Sequence, residues 1–184
     1  MLGIKKSMAN IFIIVGGHNS GKDELIRAVQ DLGALHAQMI PKFTSRPRQK
    51  DDGKEIKCNY IFQKDDNGNY KVISQENDKI YECDIVYYKN QNYYGIDTHQ
   101  IWSGLRKQKF QVIVVSEVEA INSLIEKFGS LVVLIYVHSM TEEETLPEFQ
   151  LFLDNFNEFD HVLIAENRKE DLYDQLFRLF RAYE

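Results

Sequence analysis

The sequence predicts an α/β fold: a parallel sheet flanked by helices, with a small strand-rich lobe inserted. Three observations predict it. Short all-apolar runs are typical of strands buried on both faces, helical apolar periodicity lies between them, and a middle stretch differs in composition. The 184 residues suffice for one domain, and 43% hydrophobic with 27% charged residues fit a soluble globular protein. We therefore expect a single domain over residues 1–184.

The core elements follow in chain order. Ile11–Val15 is an apolar, β-branched run that ends at a glycine and predicts the first buried strand. Residues 23–32 carry apolar side chains at helical spacing and precede a glycine, so they predict a helix. The same criteria predict strands at 112–116, 131–137 and 162–165, a helix at Val118–Phe128, and a terminal helix with the apolar stripe Leu172, Leu176, Leu179 and Phe180.

The middle of the chain has a different texture. Between about residues 44 and 96, Tyr, Asn, Asp and Lys are frequent, and the stretches NYIFQ and NYKVIS are separated by the turn signal DDNGN. This pattern predicts a small antiparallel lobe. The expected core then covers about 9–43 and 97–184, and the lobe about 44–96.

The net charge of −6 is unevenly distributed. Residues 1–127 carry 18 Lys and Arg against 16 Asp and Glu, whereas residues 128–184 carry 4 against 12, and none of the cations lies between 128 and 167. A nucleic-acid binder would show a basic face, so no nucleic-acid partner is expected. The apolar runs are far shorter than the roughly 18 residues of a membrane span, so no membrane partner is expected either.

Cysteine usage bears on the compartment. Cys58 and Cys83 form no CxxC pair, so they indicate neither a disulfide framework nor a zinc site. We expect a cytoplasmic protein that is a monomer or a homodimer.

The strongest motif is GGHNSGKD at residues 16–23, between the first predicted strand and the first predicted helix. It satisfies G-x-x-x-x-G-K, in which loop N–H groups and the helix N-terminus surround phosphates and the lysine reaches the β- and γ-phosphates. The alternative is a chance glycine turn, with His18 simply solvated. The motif predicts a P-loop NTPase-type sheet, with Lys22 catalytic and nucleotide phosphates bound by Gly16, Gly17, His18, Asn19, Ser20, Gly21, Lys22 and Asp23.

Two acidic residues are candidates for holding Mg²⁺. Asp23 stands where the motif has the Ser or Thr that ligates the metal; its carboxylate either replaces that hydroxyl or only caps the helix. Glu117 follows a predicted apolar strand, which is where P-loop enzymes place a carboxylate beside Mg²⁺. Glu119 competes for that role, and an acid there is also a common helix start.

A second phosphate site is predicted from residues 44–60 and the NYYG at 92–95. Arg46, Arg48 and Tyr60, with Tyr94 downstream, supply the guanidinium forks and phenols that a phosphate monoester needs. Taken alone, the segment fits a solvated surface loop with scattered charge better.

Together these motifs resemble the guanylate kinase family, from about residue 11 to about residue 180. The similarity rests on Thr44, Ser45, Arg46 and Arg48, then Tyr60-Ile61-Phe62, then Asn92-Tyr93-Tyr94-Gly95, and on FDHVLIAEN at 159–167, which is similar to the family's last strand and base loop. The resemblance implies ATP and Mg²⁺ as cofactors and a GMP-like nucleoside monophosphate as partner. It implies that Arg46, Arg48, Tyr60 and Tyr94 hold the GMP phosphate, that Asp84 or Glu82 reads guanine, and that Glu117 takes the place of the family's aspartate.

The sequence also departs from the family pattern. The arginines stand as R-P-R, Lys42 appears where the family's serine contacts phosphate, and Ile96 replaces the Ser/Thr after Y-Y-G. The lid region, about 139–158, lacks any basic residue, whereas the family carries arginines there; its apolar side chains Leu146, Phe149, Phe152, Leu153 and Phe156 predict a packed helix. Two functions remain open: phosphoryl transfer from ATP to a nucleoside monophosphate such as GMP, or a related module that binds phospholigands without efficient turnover.

Overall fold

The computed structural model describes residues 10–17, 20–32, 37–50, 53, 56–139, 147–165 and 169–184. Short 3₁₀ turns lie at Gly129–Leu131 and Phe156–Glu158. The elements of these described ranges are, in chain order, β1 (Ile11–Val15), α1 (Lys22–Leu32), β2 (Ala37–Met39), β3 (Lys42–Thr44), β4 (Ile56–Lys57), β5 (Tyr60–Lys64), β6 (Tyr70–Ser74), β7 (Ile80–Cys83), β8 (Ile85–Lys89), β9 (Asn92–Ile96), α2 (Thr98–Arg106), β10 (Phe110–Val114), α3 (Val118–Phe128), β11 (Val132–Ser139), α4 (Pro147–Asp154), β12 (His161–Ala165) and α5 (Lys169–Tyr183).

A five-stranded parallel sheet forms the core, with strand order β12-β11-β1-β10-β2. All five residues of β1 are buried, as its unbroken apolar run requires of a strand covered on both faces. On one face Phe12 and Ile14 pack with α1 and α5, and on the other Ile11 and Ile13 pack with α2, α3 and α4. The α/β fold with a helix-flanked parallel sheet is confirmed.

The chain between β2 and α2 forms two smaller sheets, of order β4-β3-β9-β8 and β5-β6-β7. The β5–β6 hairpin turns at residues 65–69, where the Asp65 carboxylate accepts the backbone N–H groups of Asn67 and Asn69, both at 2.9 Å, and Gly68 has a φ of +88°. The DDNGN signal thus predicts the position and the chemistry of this turn.

Several predicted elements differ in their bounds. The strand predicted at 112–116 is Phe110–Val114, and β11 extends to Ser139 rather than ending at 137. In the lid region Phe152 is buried as predicted, but Leu153 is 50% exposed, so the prediction that Leu153 is packed is wrong. Leu146 lies outside the described residues. No helix in the described ranges is long and apolar enough to cross a membrane.

Candidate functional site

The glycine-rich segment joins β1 to α1. Gly16, Gly17 and Ser20 are buried, and the Lys22 ammonium folds back over the segment. It donates to the Gly16 carbonyl at 2.5 Å, to the Gly17 carbonyl, and to Ser20 Oγ at 3.2 Å. The lysine is therefore held at the centre of the loop by oxygen atoms of the loop itself. His18, Asn19 and the Asp23 side chain lie outside the described part of the structure.

Gly21 is required by both backbone and packing. Its φ is +89°, a region that side chains of L-residues rarely adopt. A Cβ built there would lie 2.9 Å from Ala165 Cβ and 3.0 Å from Leu172 Cδ1. The second glycine of the motif therefore lets α1 begin close against β12 and α5.

The position of the loop in the sheet favours ligand binding. The strand order places β1 between β10 and β11, so the connections leaving β1 and its neighbours diverge to opposite sides. In open α/β sheets, ligands bind outside the carboxyl ends of the strands at such a switch point. The loop that carries Lys22 follows β1 at this end.

Glu117 lies at the same end of the sheet, in the connection that follows β10 and directly before α3. Its Oε1 accepts from Lys89 Nζ at 2.5 Å and its Oε2 from the Ser116 backbone N–H at 3.3 Å. Burial raises the pKa of Glu117, but the hydrogen bond and charge of Lys89, with the charge of Lys42, outweigh it and hold that pKa below its ordinary value. At neutral pH the carboxylate is ionised and paired with a cation.

Asp84, predicted to read the base, is engaged on both oxygens. Oδ1 accepts the Thr98 backbone N–H at 3.0 Å, and Oδ2 accepts Thr98 Oγ1 at 2.5 Å and pairs with the ammonium of Lys127. Burial raises the pKa of Asp84, yet these hydrogen bonds outweigh it and lower that pKa overall. The alternative acid, Glu82, is exposed on β7 opposite Lys71.

The residues predicted for the acceptor phosphate divide between two faces of one sheet. Tyr94 stacks on Tyr87, with ring centroids 5.3 Å apart, on the face that packs against α3. Tyr60 lies against the opposite face, 5.0 Å from the Phe43 ring, and its pKa is raised chiefly by burial. The structure thus does not bring Tyr60 and Tyr94 onto one face.

The two predicted arginines lie in the segment that follows β3. Arg46 is half-buried and its Nη1 donates to the Pro47 carbonyl at 3.4 Å, while Arg48 is exposed. The Arg46 carbonyl accepts from the Asn59 N–H at 3.1 Å, which anchors the backbone at this point.

The Asp23 side chain, one of the two predicted Mg²⁺ ligands, lies outside the described residues, and Glu117 lies within them. No group of three or more His, Cys, Asp or Glu side chains is positioned there to hold a metal ion. Glu117 Oε1 is paired with an ammonium, and the field of a second lysine acts on the same carboxylate. With an ion pair to one lysine and the charge of a second acting on it, Glu117 by itself does not form a site for a divalent cation in the present geometry.

Three residues that contact the predicted carboxylates carried no sequence signal. Lys89, Thr98 and Lys127 hold the predicted carboxylates, yet they lie 14 to 43 positions from their partners along the chain. No local periodicity or motif spacing indicates such pairs. The sequence shows an acidic residue after a predicted strand. It also shows lysines in the predicted lobe and in a predicted helix, but it does not show which carboxylate each lysine contacts.

Comparison with known proteins supports the fold. No protein-family model and no curated protein matches the chain. Among solved structures, the crystal structure of guanylate kinase from Anaplasma phagocytophilum matches with 15% identity and a TM-score of 0.62, over 96% of this chain and 86% of that one. The chain therefore has a guanylate kinase-like α/β fold, and at this identity the likeness concerns the fold alone.

Proposed function

We propose that the protein transfers a phosphoryl group from ATP to a nucleoside monophosphate, with GMP as the first acceptor to test. The observation that carries the proposal is the lysine-bearing glycine loop at the switch point of a sheet with a guanylate kinase-like fold. Loop N–H groups and a lysine at this position suit the phosphates of a nucleoside triphosphate.

In this proposal the phosphates of ATP, the phosphoryl donor, bind to the loop of residues 16–23. When ATP binds, the Lys22 ammonium exchanges its contacts with loop carbonyls for contacts with the β- and γ-phosphates. The exchange replaces hydrogen bonds to neutral oxygens by stronger hydrogen bonds to charged ones. ATP would bring Mg²⁺ with it, and Asp23 is the side chain of the protein that we propose as a ligand of this Mg²⁺.

The acceptor phosphate is proposed to lie between the segment after β3 and the face of the β3–β9–β8 sheet that carries Tyr94. Arg46 and Arg48 supply charge near it, and the Tyr94 phenol supplies a neutral donor. Tyr60, against the other face, fits this site only if the β5–β6–β7 sheet moves relative to the sheet that carries Tyr94. Asp84 would read guanine only after giving up hydrogen bonds to Thr98 or Lys127.

A second function is favoured by the state of the two carboxylates. Asp84 and Glu117 both form ion pairs inside the chain, and residues 128–167 contain no lysine or arginine to close over a transferring phosphoryl group. Missing positive charge at that group costs roughly 10³–10⁵ in rate in enzymes that rely on an arginine there. The alternative is a phospholigand-binding module with little turnover.

The test is an ADP-release assay with ATP, Mg²⁺ and a panel of nucleoside monophosphates, run beside calorimetric binding of each nucleotide. Lys22→Ala is the control, because it removes the loop cation. ADP release above this control identifies a kinase and its acceptor. Nucleotide binding without ADP release for any acceptor favours the module, and the absence of both rejects the two functions together.

A further inference from the structure

Strand β8 and helix α3 are joined by ion pairs at both ends. Asp84, directly before β8, pairs with Lys127 in the last turn of α3, and Lys89, the last residue of β8, pairs with Glu117 directly before α3. The two elements therefore run antiparallel, with Ile85 and Tyr87 packed between them in the apolar cluster that includes α3. We call this contact the β8–α3 seam.

One face of the β3–β9–β8 sheet presents its polar side chains toward the Glu117 end of the seam. The register sets Thr44 opposite Tyr94 and Tyr94 opposite Tyr87, and the period of two places Lys42 and Lys89 on the same face. The charges of both lysines act on Glu117.

This end of the seam lies at the same end of the core sheet as the glycine-rich loop. Strands β1 and β10 are parallel neighbours with Ile14 opposite Val114, and the Val115 N–H donates to the Ile14 carbonyl at 3.1 Å. Continuing that register brings Glu117 one position beyond the level of Gly16, where the loop begins. Lys89, which pairs with Glu117, therefore lies near the carboxyl edge of the core sheet. The Lys127 end lies at the other end of α3, a helix of 11 residues.

We propose that Lys89 is a phosphate-binding residue of the acceptor site and that Glu117 is its positioning residue. The inference rests on the proposed function, and it deepens it by naming a further cation for the acceptor phosphate. An ammonium carries three N–H donors, and the Lys89 side chain is 40% exposed, so it reaches solvent while contacting Glu117. Because the ion pair fixes the direction of the side chain, little conformational entropy is lost when it contacts an anion.

The test compares GMP with guanosine, because the ratio of their affinities isolates the contribution of the phosphate. Calorimetry with Lys89→Met is expected to show this ratio reduced about tenfold to a hundredfold, the effect of losing one charged hydrogen bond. Lys89→Arg keeps the charge and is expected to restore most of the ratio. Lys127→Met is the matched control, since it removes the other ion pair of the seam, and it should leave the ratio unchanged.

The outcomes separate the possible failures. If Lys89→Met and Lys127→Met reduce the ratio equally, or if Lys89→Met weakens guanosine as much as GMP, Lys89 has only a structural role and the inference is wrong. If the wild type binds GMP and ATP but Lys89→Met keeps the wild-type ratio, this inference fails while the proposed function stands. If the wild type binds no nucleotide at all, both fail. Thermal unfolding of each variant identifies any that has lost its fold.

Discussion

Two glycines with nearly the same φ but different surroundings allow the packing at the glycine-rich loop to be measured. Gly21 has a φ of +89° and Gly68 a φ of +88°. A Cβ at Gly21 would lie 2.9 Å from Ala165 Cβ and 3.0 Å from Leu172 Cδ1, whereas the nearest atom at Gly68 is Lys64 Cε, at 3.8 Å. Substitution by alanine therefore imposes similar backbone strain at both sites and a steric clash at only one.

The magnitude follows from these two contributions. Left-handed backbone costs an alanine about 1–2 kcal/mol at either position. At Gly21 the added methyl also overpacks the contact with β12 and α5, which costs about 1–3 kcal/mol more. We expect Gly68→Ala to lower the free energy of unfolding by about 1–2 kcal/mol and Gly21→Ala by about 2–5 kcal/mol. The extra loss corresponds to a Tm lower by about 2–12 °C for a domain of this size.

The assay is urea unfolding followed by circular dichroism, with both variants compared with the wild type. Equal m-values would show that the native state is equally compact in the three proteins. Equal losses of stability in the two variants would refute the reasoning, because they would mean that Ala165 and Leu172 do not restrict position 21. A loss at Gly68 larger than that at Gly21 would refute it as well.

Three further predictions concern packing, an edge strand and pH. Phe152→Ala removes a ring stacked 4.2 Å from that of Tyr136 and should lower the unfolding free energy by about 3–5 kcal/mol, whereas Leu153→Ala, at a half-exposed position, should cost less than about 1 kcal/mol in urea unfolding. Gln175→Ala removes the amide that bonds both backbone groups of a residue in the edge strand β12; it should cost about 1 kcal/mol and increase self-association in size-exclusion chromatography. The pKa of Asp84 is lower in the folded protein than its ordinary value of 3.8, so the ionised carboxylate stabilises the fold at neutral pH and this stabilisation is lost as the pH falls below about 4. In Asp84→Asn, the free energy of unfolding should therefore decrease less on acidification than in the wild type.

Each of these has a result that would contradict it. Equal costs for the two lid-region substitutions would mean that α4 does not pack through Phe152. A Gln175→Ala variant that remains fully monomeric at high concentration would show that the amide does not protect the edge. Wild type and Asp84→Asn losing stability in parallel on acidification would show that this carboxylate is not held ionised by its partners.

The core of the fold is predictable from sequence because its signals are local. Val118–Phe128 has apolar positions at helical spacing, and the structure forms that helix over the same residues. Helix α2 was not predicted because only Ile101 and Gly104 are buried within it besides its first residue, too few to produce a periodic pattern. Its one signal is Asp97, whose carboxylate accepts the His99 N–H at 2.9 Å and caps the helix. A search for capping residues would have found it.

The candidate site is less predictable because its decisive contacts are long-range. The sequence indicates Glu117 from its place after an apolar strand, but Lys89 is 28 positions away and no pattern in the sequence joins the two. The pairing depends on β8 lying along α3, and that arrangement follows from burial of Ile85 and Tyr87 in the tertiary structure. Residue types at a motif can thus be identified from sequence, while their partners depend on how the sheets pack.

The Lys89–Glu117 ion pair of the β8–α3 seam bears on both proposed functions, the kinase and the binding module. Removing one partner of a partly buried ion pair leaves a carboxylate without its cation, which is costly. A ligand that pulled Lys89 away from Glu117 would incur that cost. A phosphate that approached Lys89 from solvent would avoid it if the ammonium contacted the phosphate and Glu117 together. A bound monophosphate would then strengthen the link between the lobe and α3. Kinase and binding module would share this feature, and they would differ only in whether the donor phosphate meets enough positive charge to be transferred.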